Sequence, residues 1–79
     1  RDWDRARELY HAGQVEQSLV QYELLLQEKG SIDEARWEYT VLLMREKRWD
    51  DAARQLERLL ERQPGNRDFL LAKARVALE

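Results

Sequence analysis

In DAARQLERLLER, residues 51–62, apolar side chains fall at Ala52, Leu56, Leu59 and Leu60, and polar or charged ones take nearly every other place. Spacings of three and four set those four on one stripe of a helix, with Asp51 in the first turn and Arg62 in the last complementing its dipole. The same reading along the chain predicts five helices. The first runs from about residue 2 to Ala12 and stops at Gly13, a residue that takes left-handed backbone without strain. A second continues to about Lys29. A third opens at SIDE, where Ser31 and Glu34 make a capping box, and ends near Lys47, which holds the place of Gly13 at some steric cost. Asp50 is expected to cap the fourth, and Pro64 with Gly65 to end it. Asn66 caps a fifth, RDFLLAKARVAL, in which Phe69, Leu70, Ala74 and Ala77 repeat the pattern of a first helix.

The stretch MREKRWDDA, residues 44–52, places a tryptophan in what otherwise reads as a charged surface turn. Thirty-four positions earlier stands YHAGQVEQS, residues 10–18, with Val15 where Trp49 is. The same shift aligns Trp3 with Trp37, Ala6 with Thr40 and Ala74, Leu9 with Leu43 and Ala77, and Ser18 with Ala52. Tyr22 falls on Leu56, Leu25 on Leu59, Leu26 on Leu60 and Gly30 on Pro64. Small, large and helix-stopping classes therefore recur in register, as in a stacked helical solenoid, and the two turns are one turn used twice.

These features resemble the tetratricopeptide repeat family: the period, a small residue followed four later by a large one (Ser18 and Tyr22; Ala52 and Leu56), and Pro64 closing a unit. The resemblance implies an all-α, helical-hairpin solenoid wound as a right-handed superhelix, with first helices lining a concave groove and second helices on the convex back. It divides a single domain, 1–79, into unit one (about 1–31), unit two (about 32–65) and a final capping helix (about 66–79). Ala6, Ser18, Thr40 and Ala52 would then sit where helix axes approach closely. Trp49 and Val15 would be buried between a second helix and the following unit. A fainter likeness, of ARQLERLL (residues 53–60) to the half-a-tetratricopeptide type of RNA-processing scaffolds, lacks the aromatic pattern expected in the first helix.

At 79 residues the chain is near the size at which one core is marginal. Starting at Arg1 rather than methionine, it reads as a mature product or an excised segment, with flanking sequence expected. It has no cysteine, hence no disulfide framework and no thiolate zinc site, and the compartment stays unknown. Fourteen Lys and Arg against 16 Asp and Glu give no electrostatic reason for nucleic acid or an anionic membrane; no apolar run is long enough to insert in a bilayer. REKR, residues 45–48, lies beside Asp50 and Asp51, a mixture of signs typical of a solvated face. The expected partner is therefore protein or peptide, with self-association as a second possibility.

Catalytic signals are weak. Glu8 and His11 form the Glu-x-x-His spacing of di-iron bundles, but a site needs two such motifs and two further glutamates, and His11 is the single histidine. A polar histidine near a helix C-terminus is the simpler reading. Ser18 and Ser31 lie in no nucleophile elbow, and Gly13, Gly30 and Gly65 stand singly at helix ends rather than in a phosphate loop. The expectation is a non-enzyme with no cofactor and no metal.

The tryptophans say more. In the family pattern a tryptophan precedes a Leu-Gly pair by three and four residues, whereas Trp37 precedes Tyr39 and Thr40 by two and three. One residue is about 100° around a helix. Trp37 should thus turn out of the intra-repeat core to the concave side with Val41 and Met44, while Arg36 takes the vacated place. Trp3, with Arg7 and Tyr10, is displaced likewise, and Leu71, Arg75 and Leu78 hold the matching places in the last helix. The candidate groove is Trp3, Arg7, Tyr10, Trp37, Val41, Met44, Leu71 and Arg75. The competing reading is that the tryptophans pack only against neighbouring first helices. A rigid spacer or homo-oligomerisation segment of a longer solenoid is the alternative function. The resemblance also places Trp3, Arg7, Glu38, Asp68 and Ala72 where co-chaperone members carry the lysines and asparagines that clamp a terminal carboxylate; that clamp is absent.

Overall fold

A computed structural model of the chain describes residues 2–28 and 32–79. Among the described residues there are five helices: α1 (Asp2–His11), α2 (Val15–Gln27), α3 (Asp33–Arg45), α4 (Trp49–Arg62) and α5 (Arg67–Ala77). Among the described residues there is no strand, so the fold is all-α, as the periodicity predicts. Packing divides the chain into two compact units, Arg1–Arg36 and Trp37–Glu79, with the division falling inside α3.

The two helical hairpins begin with the same turn. After α1, Gly13 has φ +83° and donates its N–H to Tyr10 O (3.0 Å), while Gln14 N–H reaches back to Leu9 O (2.9 Å). Thirty-four residues on, Lys47 has φ +60° and donates to Met44 O (3.0 Å), and Arg48 N–H reaches Leu43 O (2.8 Å). Both pairs are the reverse hydrogen bonds of a Schellman ending, which satisfy helix carbonyls that would otherwise be left open. Gln14 and Arg48 then take near-identical backbone angles, φ −91° ψ 69° and φ −93° ψ 71°. The repeat in sequence is a repeat in structure.

In the first unit the hairpin of α1 and α2 closes over Ala6, Leu9, Ser18, Leu19 and Tyr22, all buried. Ala6 and Ser18 are fully so, and the Ser18 hydroxyl donates to the Ala6 carbonyl at 2.7 Å. A small residue on each helix permits that approach, and the hydrogen bond satisfies a hydroxyl whose burial alone would be costly. In the second unit Leu56, Leu59, Phe69 and Ala72 form a buried cluster, with Trp37, Met44, Leu60 and Val76 packed on it. Thr40 and Ala52, the counterparts of Ala6 and Ser18, are again fully buried. The Asn66 side chain accepts from Phe69 N–H at 3.1 Å, capping α5 as expected.

Several local expectations are corrected. Asp50 does not cap α4: the helix starts two residues earlier than that cap would require, at Trp49, with Arg48 at the cap position and no side-chain cap bond. The reverse bond from Arg48 N–H already fixes the chain there, and Asp50 and Asp51 instead supply negative charge in the first turn, Asp51 pairing with Arg54. Leu60 is half-buried rather than part of the inner stripe, and Val15 and Trp49 are likewise half-buried. In α5 the buried side is Phe69 and Ala72, while Leu70, Ala74 and Ala77 are exposed. The capping box falls on Ser31, which lies outside the described residues.

Leu56→Ala is expected to cost about 2–5 kcal/mol, enough to unfold so small a domain, and calorimetric melting checks it. The two turns should respond with opposite signs. A Cβ on Gly13 meets no atom within 4 Å, so Gly13→Ala carries only its backbone cost, roughly 1 kcal/mol, whereas Lys47→Gly relieves the same cost and should raise the melting temperature.

Candidate interaction surfaces

The displaced-tryptophan pattern starts from register. Trp3, Arg7 and Tyr10 are spaced i, i+4, i+7 and share one face of α1. The Arg7 guanidinium lies 4.6 Å from the Trp3 ring centroid, a cation–π pair worth about 0.5–1 kcal/mol at an exposed site. Tyr10 meets His11 edge-on, with ring centroids 6.3 Å apart. Trp3 and Tyr10 are half-buried and Arg7 is exposed, so the first unit presents an aromatic ledge with a guanidinium across it.

In the second unit Trp37, Val41 and Met44 hold the same register on α3, and all three are half-buried. Trp37 leans on Phe69, with centroids 5.0 Å apart and planes tilted by 48°. It and Met44 therefore rest on the edge of the Leu56–Leu59–Phe69–Ala72 cluster. Arg36, one residue before, is 8% exposed, so the arginine does occupy a buried place as the one-residue displacement requires. On α5, Leu71 is 62% exposed, Leu78 is 86% exposed and Arg75 is exposed. The structure thus brings together Trp3 with Arg7, and Trp37 with Met44 on a common cluster.

Two features were not read from the sequence. One is the role of Phe69 as the aromatic support of Trp37; its position two residues before Leu71, the counterpart of Trp37, is the available signal. The second is a furrow of about 540 Å³ between α4 and α5, floored by Ala53, Leu56, Leu60 and Val76 and edged by Glu57, Glu61 and Lys73. Its signal is the second, half-buried pair of α4, Ala53 and Leu60, one residue beyond Ala52 and Leu59.

For chemistry at these surfaces, Glu8 and His11 are both exposed at the end of α1. Among the described residues no group of three or more His, Asp or Glu side chains could hold a metal ion. No helix among them is long and apolar enough to cross a membrane.

No curated protein and no solved structure matches the chain. A family model described as tetratricopeptide repeat matches residues 33–76, which take in α3, α4, their Schellman turn and nearly all of α5. With the match covering more than half of its length, the chain belongs to the tetratricopeptide repeat family.

Proposed function

We propose that this chain is a non-catalytic scaffold that holds a partner polypeptide through the outward register of its first helices. Tetratricopeptide repeats are generally protein–protein interaction modules. The observation that supports the finer reading is the recurrence of one pattern at one register: Trp3, Arg7, Tyr10; Trp37, Val41, Met44; Leu71, Arg75, Leu78. Each set is a large apolar residue followed on the same helix face by further apolar or guanidinium side chains, none of them fully buried. Such sets suit the apolar face of a helix or the alternate side chains of an extended segment, with arginine fixing polarity at the edge. Aromatic and arginine anchors of this kind usually dominate binding.

Trp37 serves both sides of that arrangement. Phe69 supports one face of its ring, so the anchor is held in place before a partner arrives, and less side-chain freedom is lost on binding. A second reading, a spacer or self-associating segment of a longer solenoid, draws on the exposure of Leu71 and Leu78. Light scattering over a concentration series separates the two: a monomer favours the scaffold, a tight dimer the assembly segment.

Peptides selected from a displayed random library on the wild-type domain should lose binding to Trp37→Ala and to Leu71→Ala. Leu71→Ala should leave the melting temperature unchanged, and Trp37→Ala should cost less stability than Leu56→Ala, because Trp37 is partly exposed whereas Leu56 is fully buried. Equal binding by both variants would remove the support for this surface. Short acidic peptides ending in a free carboxylate should give no specific heat in calorimetric titration, since Glu38 and Asp68 stand where a clamp would need cations. Micromolar binding by such a peptide would reverse that expectation.

A further inference from the structure

We infer that Met44 is a redox-controlled modification site: a peroxide converts its thioether to the sulfoxide, which loosens Trp37 from Phe69 and weakens partner binding at the first-helix surface, and reduction restores both. The effect on binding rests on the proposed role of that surface; the effect on the free chain does not. With no cysteine and one methionine, the chain carries a single sulfur atom. Its surroundings give oxidation a consequence. Met44 shares the outward register of α3 with Trp37 and Val41, and it packs, together with Trp37, on the Leu56–Leu59–Phe69–Ala72 cluster. Half-buried, it is open to a small oxidant on one side and set against apolar carbon on the other. Packing alone does not call for sulfur there. The counterparts of Met44 thirty-four positions before and after are Tyr10 and Leu78, so the register takes large side chains of other kinds.

The step balances with hydrogen peroxide alone. A sulfur lone pair attacks one peroxide oxygen, the S–O bond forms as the O–O bond breaks, and the other oxygen leaves as hydroxide, which takes the proton from the sulfur-bound oxygen and becomes water. Sulfur is oxidised by two electrons and the peroxide reduced by two. A flexible apolar thioether thus becomes a polar group with an accepting oxygen. The side chains of Leu56, Leu59, Phe69 and Ala72 offer that oxygen no hydrogen-bond donor, so it is costly to keep against them and the side chain swings toward water. Trp37 then loses a neighbour on the shared cluster, and its contact with Phe69, at 5.0 Å between ring centroids, is left with less support. The main chain follows. The Met44 carbonyl accepts the Lys47 N–H at 3.0 Å in the turn where Lys47 holds φ +60°, so displacement of Met44 is carried toward the start of α4.

The test treats the 79-residue chain with hydrogen peroxide at neutral pH until mass spectrometry places one added oxygen on Met44. The oxidised chain is expected to melt at least about 4 °C lower. In a proton–nitrogen correlation spectrum the indole N–H of Trp37 and the amide of Phe69 should shift, while the amides of Ala6 and Ser18 stay in place. Peptides selected on the reduced domain should bind the oxidised one about tenfold or more weakly, and methionine sulfoxide reductases of both stereospecificities should reverse all three changes. Met44→Leu keeps the apolar volume and should bind as the wild type does, before and after peroxide. An oxidised chain with unchanged melting and an unmoved Trp37 indole overturns the proposal. So does a Met44→Leu chain that responds to peroxide as the wild type does, which puts the damage elsewhere, and so does undiminished binding by the oxidised chain of peptides that Trp37→Ala rejects. Failure of the first-helix surface itself shows without peroxide, as equal binding by the Trp37→Ala chain, and the melting and spectral shifts then still decide what oxidation of Met44 does.

Discussion

A helix that turns back beside its neighbour must end without stranding its last carbonyls, and here one pair of reverse hydrogen bonds does so twice. Leu9 and Tyr10 accept from Gln14 and Gly13; Leu43 and Met44 accept from Arg48 and Lys47. Because the left-handed residue fixes the direction in which the chain leaves, it also fixes which side of the next helix meets the first. Ser18 follows Gln14, and Ala52 follows Arg48, by the same four residues. Each therefore arrives at the same depth in its own hairpin.

That depth explains why so few apolar residues are enough. Ala6, Ser18, Thr40 and Ala52 are fully buried although none is large. In the hairpin of α1 and α2 the smallness of Ala6 and Ser18 lets the backbones approach, and the large side chains of Tyr22, Leu43, Leu56 and Leu59 are fully buried. The charged remainder of α4 is then free to face water.

Much of this was legible because it rests on local rules. The period, the stop at Gly13, the strained place of Lys47, the cap by Asn66 and the burial of Arg36 beside Trp37 each follow from residue type and spacing over a few positions. What failed depended on competition or on tertiary surroundings. Asp50 is a good cap by composition, but the backbone bond from Arg48 set the helix start first. In α5, Leu70, Ala74 and Ala77 have the periodicity of a buried stripe and are exposed, since periodicity cannot say whether a neighbouring helix covers that side. The candidate surface was legible as a register, while the support of Trp37 by Phe69 joins residues far apart in the chain and belongs to no local pattern.

The Ser18–Ala6 hydrogen bond joins residues only twelve apart, across a turn that is itself prearranged. Closing a loop of that order takes about 10–100 ns, and folds dominated by such near contacts reach the native state in microseconds to milliseconds. The hairpin of α1 and α2 can therefore assemble as soon as α2 is synthesised, without waiting for distant chain. A growing polypeptide built this way buries its apolar stripes almost as quickly as they appear, which leaves little time for them to find the wrong partner.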